Sequence, residues 1–274
     1  MIQPALPRGK RAETSDSPRG SAHDRLEDVT GRAAIVTGAT SGIGTAIARR
    51  LSQQGMAVAL TGRNGAAGDA LRAQLGSAAS FVELDLTEAD GPAHLVAHCR
   101  ERFGRIDVLV NNAGLDHTGD LLDVSREEAR RIFETNVMAP LAVMQESVRW
   151  MEPGGAIVNV TSRLASVGVS TMGVYGASKG ALLTLTLHAA VEFAPRGIRV
   201  NAVAPGMTKT PLYDSWLSAQ EDPNLTARDV VGRIPLGRIA LPEEVAAAVA
   251  FLVSPESSHI TGVSLAVDGG YTAV

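Results

Sequence analysis

Ala33-Ala34-Ile35-Val36-Thr37-Gly38-Ala39-Thr40-Ser41-Gly42-Ile43-Gly44 decides how this chain folds. Five strand-forming residues run straight into a glycine-rich turn, and helical spacing follows over Thr45–Gln54. Gly38 suits the tight turn, Gly42 lets backbone approach a pyrophosphate, and Gly44 lets the helix pack closely on the sheet. Free amides of the helix's first turn then face an anion, with the helix dipole assisting. The candidate phosphate-binding set is therefore Gly38, Thr40, Ser41, Gly42, Ile43 and Gly44. No Gly-Lys-Ser/Thr follows, which argues against a Walker-type nucleotide loop.

Outward from this turn, short apolar runs alternate with helical patterns, as in βαβ units around a parallel sheet. The strand candidates are Ala33–Thr37, Ala57–Thr61, Ser80–Leu84, Val108–Asn111, Ala156–Thr161, Arg199–Ala204 and Ser264–Val267. Each is apolar on both faces, so helices are expected to cover both sides of the sheet. Further helices are expected over Ala89–Phe103, Gly176–Phe193 and Pro242–Leu252. Ligands of such sheets sit beyond the carboxyl ends of the strands. Residues 29–274 read as one catalytic domain. Residues 1–28, with Pro4, Pro7 and Pro18 and no apolar period, read as a flexible extension.

Composition narrows the function. Hydrophobic residues make up 45%, enough for a sizeable core, and the net charge of −4 speaks against nucleic acid as a partner. Apolar stretches such as Val245 to Val253 fall short of the ~20 residues that cross a bilayer, so no membrane partner is expected. The lone Cys99 cannot form an internal disulfide, and a cytoplasmic location is the expectation.

Four further motifs follow strands in order: Asn111-Asn112-Ala113-Gly114, Ser162 with Tyr175-x-x-x-Lys179, Pro205-Gly206, and Asp268-Gly269-Gly270. With the Gly-x-x-x-Gly-x-Gly turn, the chain from Gly31 to Ala273 resembles the short-chain dehydrogenase/reductase family. It is most similar to the small tetrameric members that include 3-oxoacyl carrier-protein reductases and sugar or steroid dehydrogenases. The resemblance implies a single Rossmann-type, doubly wound parallel α/β sheet of about seven strands with helices on both faces. It implies reversible hydride transfer between a nicotinamide cofactor and a small carbonyl or secondary alcohol substrate, and a homo-oligomer, tetramer or dimer.

Tyr175 and Lys179 are one helical turn apart and share a face. A phenol is a poor base near neutrality, and a neighbouring ammonium is expected to lower its pKa, as would an oxidised nicotinamide. Tyr175 can then donate a proton to a carbonyl or take one from an alcohol, with the Ser162 hydroxyl holding the same oxygen. The resemblance implies that Lys179 also bonds the nicotinamide ribose, and that Asn136 completes a tetrad by holding a water in a proton path. It implies cofactor contacts from Asn112, Ala113 and Gly114. In Pro205-Gly206-Met207-Thr208-Lys209-Thr210, Thr208 and Thr210 are the candidates for the carboxamide.

The position after the second strand selects the cofactor. No carboxylate lies between Thr61 and Gly68, and Arg63 offers a guanidinium to a 2′-phosphate, so NADP(H) is favoured over NAD(H). Asp85-Leu86 matches the family's adenine contact, with Asp85 accepting from the amino group.

Substrate selection is expected from Leu164–Gly173, the loop after Gly114, and Pro211–Arg238 as a mobile lid. Their apolar residues favour a neutral carbonyl compound. His94 and His98 read as a solvated helix pair, His117 as an exposed loop histidine, and Arg163 as a cation of undetermined direction. The alternative function is a non-catalytic nucleotide-binding regulator, which would have no need of the Tyr175 acid. A dehydratase or epimerase fits less well, because such relatives carry a larger carboxy-terminal domain.

Overall fold

The computed structural model describes residues 29–274; the extension expected over residues 1–28 lies outside them. Seven parallel strands form one sheet in the order β3-β2-β1-β4-β5-β6-β7. They are β1 Ala33–Val36, β2 Ala57–Gly62, β3 Ala79–Glu83, β4 Val108–Asn111, β5 Ala156–Val160, β6 Arg199–Pro205 and β7 Ser264–Val267. The strand order reverses between β1 and β4, where Val36 pairs with Leu60 on one side and Val110 on the other. That switch point opens a crevice at the strands' carboxyl ends.

Alternation along each strand divides the core in two. Val36, Leu60, Val110 and Val158 point into one cluster with α1 (Gly42–Gln53) and α9 (Pro242–Val253). Ile35, Ala59, Leu109 and Ile157 point into the other, with α3 (Gly91–Phe103), α5 (Ala139–Val148) and α6 (Gly173–Phe193). The remaining helices are α2 (Gly65–Leu75), α4 (Arg126–Phe133), α7 (Pro211–Ser218) and α8 (Pro223–Gly232).

Four expectations need correction. The edge strands are not covered on both faces: Ser264 and Ala266 of β7 are exposed, as is Glu83 of β3. Helix α1 begins at Gly42 rather than the expected Thr45; Pro211–Arg238, expected as a lid, carries α7 and α8, capped by Thr210 and Asp222 with proline in each first turn. Helix α6 begins at Gly173, three residues before the expected start.

Candidate active site

A cavity of about 440 Å³ occupies the switch-point crevice, bounded by the glycine turn, Arg63, Asp85, Asn112–Leu115 and Thr210. Ser41 stands at the N-cap of α1 without a side-chain cap bond, leaving the first-turn amides for an anion. Gly38 and Gly42 take positive φ of 61° and 51°. A Cβ on Gly44 would stand 2.2 Å from the Gly38 carbonyl oxygen and 2.5 Å from Asn112 Nδ2. We expect Gly44→Ala to destabilise the fold by about 1–3 kcal/mol through overpacking. Urea unfolding checks this, and cofactor titration should show weakened binding.

The turn is braced by Thr37, which sequence reasoning left out, and by Asn112, which it named as a cofactor contact. Thr37 Oγ accepts the backbone N–H groups of Asn112 and Ala113, each at 3.0 Å. Asn112 Nδ2 donates to the carbonyls of Thr37 and Gly38 at 3.0 and 3.1 Å. The Asn112 amide is thus spent on the turn itself. Behind it, Asn111 donates to Asn159, and Asn159 to Thr186, both at 2.9 Å and all nearly inaccessible. Polar residues inside otherwise apolar strands were the available signal.

Arg63 and Asp85 line the cavity beside the glycine turn. Arg63 is exposed and makes no hydrogen bond among the described residues. Asp85 Oδ1 accepts from the Thr87 amide and hydroxyl at 3.0 and 2.7 Å, which hold its pKa below the ordinary carboxylate value, with a smaller contribution from Arg63. Leu86 lines the same wall.

Asn136 lies in a π-helical segment, Glu134–Met138, between α4 and α5; such segments recur at functional sites. It is fully buried, and its Oδ1 accepts from the Leu115 amide at 2.8 Å. Its Nδ2 donates to Leu115 O and Ser178 Oγ at 2.8 and 2.9 Å. The side-chain amide therefore pins Leu115 and has little capacity left for the expected water. Ser178, missed in the sequence, passes this bond to the Tyr175 carbonyl at 2.7 Å.

Lys179 joins the two halves of the site. Its Nζ donates to the Val160 carbonyl at 3.0 Å and would lie 3.2 Å from a Cβ on Gly114. An ammonium has three donors, so two remain for groups in the crevice. Ser162, 8% exposed, stands two residues past the end of β5, and its Oγ accepts from the Leu164 amide. Of the nicotinamide segment, Thr210 lines the cavity, and its methyl would lie 3.2 Å from a Cβ on Gly42. Thr208 is buried and donates to Gly206 O at 3.0 Å, so its hydroxyl is already engaged. Pro205 and Gly206 close the seam against Asp268, whose Cα would lie 2.8 Å from a Cβ on Gly206.

The electrostatics reverse one expectation. Burial pushes the Tyr175 phenol up to about 12; Ser162 opposes this as a hydrogen-bond partner, and Asp116 adds to it. Lys179 is not among the groups that move it, and desolvation lowers the lysine's own pKa to about 8. Between pH 8 and 10.5 the folded chain therefore binds fewer protons at Lys179 than the unfolded chain. Stability should rise with pH across that window. Lys179→Met should stabilise the cofactor-free protein near pH 7 by at most on the order of 3 kcal/mol, from about 1.36 kcal/mol per pKa unit. The gain should fade by pH 10.5, as read from urea midpoints.

Other readings shift too. His117 is not exposed: its Nδ1 lies 3.5 Å from Glu128 Oε1, with its ring mostly enclosed. Arg163 stacks on Tyr271, 3.7 Å from the ring centroid, which fixes its direction. Cys99 is buried in α3, and desolvation pushes its thiol up to about 12.

A family profile described as enoyl-(acyl carrier protein) reductase matches residues 38–272. The chain is 43% identical over 248 residues to a cis-4-hydroxycyclohexanecarboxylate dehydrogenase of Sinomonas cyclohexanicum, covering 89% of this chain and 97% of that one. The chain belongs to the short-chain dehydrogenases/reductases. This short-chain dehydrogenase/reductase is also 38% identical over 250 residues to a cyclopentanol dehydrogenase of Comamonas, covering 89% and 98% of the two chains. It is 35% identical over 257 residues to an NADP-dependent (R)-specific alcohol dehydrogenase of Lentilactobacillus kefiri, covering 91% and 99%. Its reaction class is NAD(P)-dependent oxidoreduction between alcohols and carbonyls. No helix among the described residues is long and apolar enough to cross a membrane.

Proposed function

We propose that this short-chain dehydrogenase/reductase uses NADP(H) to interconvert a neutral alicyclic secondary alcohol and its ketone. Tyr175 is the general acid/base, Ser162 holds the substrate oxygen, and Lys179 and Asn136 are the supporting pair. The single observation that supports the reading is the approach of Lys179 Nζ to Gly114, a residue of the cavity wall, on the helix that carries Tyr175.

The residues present fit a dinucleotide. Uncapped amides at Gly42–Gly44 suit the pyrophosphate. Arg63, free of hydrogen bonds among the described residues, suits a 2′-phosphate. Asp85 and Leu86 suit the adenine, the spare donors of Lys179 a ribose hydroxyl, and Thr210 the carboxamide end. When bound, the cofactor supplies or accepts the hydride. Tyr175, protonated throughout the neutral range, gives its proton to the carbonyl oxygen that Ser162 steadies.

The substrate-facing loops carry Leu121 and Leu122, both exposed, and Val167, Val169 and Met172. Arg163 is held over Tyr271, and Asp116 sits close enough to Tyr175 to raise its pKa, so an anionic group beside the phenol is disfavoured. The names of the relatives point to ring alcohols. Initial rates with NADP(H) test this: cyclopentanol and cyclohexanol should exceed 4-hydroxycyclohexanecarboxylate by about tenfold in kcat/KM, roughly 1.4 kcal/mol. Equal rates, or a preference for the carboxylate, would remove the neutral-substrate reading. A cytoplasmic homotetramer completes the proposal, supported by exposed Leu187 and Val191 on α6 and the uncovered face of β7. Sedimentation measures the assembly.

A further inference from the structure

The segment after β7 is fastened on three sides. Asp268, 7% exposed, accepts at Oδ1 from the Gly270 amide at 3.0 Å. Its Oδ2 accepts from the Thr272 amide and hydroxyl at 2.9 and 2.7 Å. One carboxylate thus closes residues 268–272 into a hook, with Tyr271 between two of the residues it holds. The hook meets the nicotinamide segment, where the Gly206 amide donates to Val267 O at 2.9 Å. It meets the segment after α8, where the Leu236 amide donates to Gly269 O at 3.1 Å. Its third contact is the Tyr271 ring, whose centroid lies 3.7 Å from the guanidinium carbon of Arg163.

Arg163 directly follows Ser162 and opens the short 3₁₀ turn Arg163–Ala165. Ser162 caps that turn: its Oγ accepts from the Leu164 amide at 3.2 Å, and its carbonyl from the Ala165 amide at 3.0 Å. Helix α6 packs on the same turn, since a Cβ on Gly176, next to Tyr175, would lie 3.0 Å from Leu164 O. Arg163 and Tyr271 are both partly buried. Among the described residues the Arg163 guanidinium has no hydrogen bond and no ion pair, so the aromatic face is what holds it. We propose that Tyr271 is a positioning residue for the Ser162 hydroxyl: by holding Arg163, it fixes the turn that Ser162 caps. The inference rests on the reading of Ser162 as the group that steadies the substrate oxygen. Phenol and hydroxyl are then set by different parts of the chain, Tyr175 by α6 and Ser162 by the hook acting through Arg163.

Steady-state reduction of cyclopentanone or cyclohexanone, whichever turns over faster with NADPH, tests the role in the full chain. Tyr271→Ala should lower kcat about tenfold, while NADPH affinity from fluorescence titration stays within about twofold. Tyr271→Phe keeps the ring face and should hold kcat within about twofold of wild type. Arg163→Met removes the other partner and should give the same loss as Tyr271→Ala, and the double variant no more than either alone. With Ser162→Ala already present, adding Tyr271→Ala should cost less than about twofold, because the hydroxyl it positions is gone. A merely structural role would weaken NADPH binding together with kcat, and its cost would persist without the Ser162 hydroxyl. The inference is overturned if Tyr271→Ala turns over as wild type, if Tyr271→Phe fails to rescue, or if the loss persists alongside Ser162→Ala. Should Tyr271→Ala not fold, Arg163→Met carries the same comparisons. Full turnover in Ser162→Ala would overturn the reading of Ser162 as well. A slow Ser162→Ala beside a normal Tyr271→Ala overturns this inference alone.

Discussion

Tyr175→Phe should lower kcat for ketone reduction by about 10²–10⁴-fold while leaving cofactor affinity nearly unchanged. The ring and its packing survive the substitution, and only the proton is removed. At a phenol pKa of about 12, wild-type Tyr175 is protonated across the neutral range, so reduction should stay flat in pH until well above neutrality. Alcohol oxidation needs the opposite protonation state and should climb with pH over the same range. Steady-state kinetics in both directions, with cofactor binding followed by fluorescence, read the two effects separately. Cofactor binding without turnover in the wild type and the variant alike would leave a nucleotide-holding protein, which is the regulator reading.

The second large effect is expected at Arg63. A charge-assisted hydrogen bond to phosphate contributes about 1.5–3 kcal/mol. Because Arg63 is exposed, the lower end applies, and Arg63→Ala should raise the KM for NADPH by roughly tenfold. The KM for NADH should move by less than about threefold, since no 2′-phosphate is present to be lost. An NADPH preference that survives the substitution would place the discrimination elsewhere.

The chain's local grammar is legible because it is short-range. A strand run, a turn needing positive φ at Gly38 and Gly42, and a helix are properties of adjacent residues, and all appear in the expected order, the helix starting three residues early at Gly42. The strand candidates agree with the structure to within a residue at either end. Asn136 signalled itself as an asparagine inside a helical pattern, and it stands in the π-helical segment. Thr37 and Ser178 gave no comparable signal, since their partners Ala113 and Asn136 lie 76 and 42 positions away. His117 was misread for the same reason: Glu128, which encloses it, belongs to another element.

From the order of its residues alone, this chain determined a parallel α/β sheet, a dinucleotide turn after its first strand, and a tyrosine and lysine sharing one helical face. Those follow from backbone sterics and from the 3.6-residue period, which need no knowledge of distant neighbours. Only the folded molecule decided that Tyr175 sits above its ordinary pKa and Lys179 below its own, and that Asn112 braces the turn. Desolvation and hydrogen-bond partnership depend on which atoms displace water around a group, and packing sets those atoms across the whole chain.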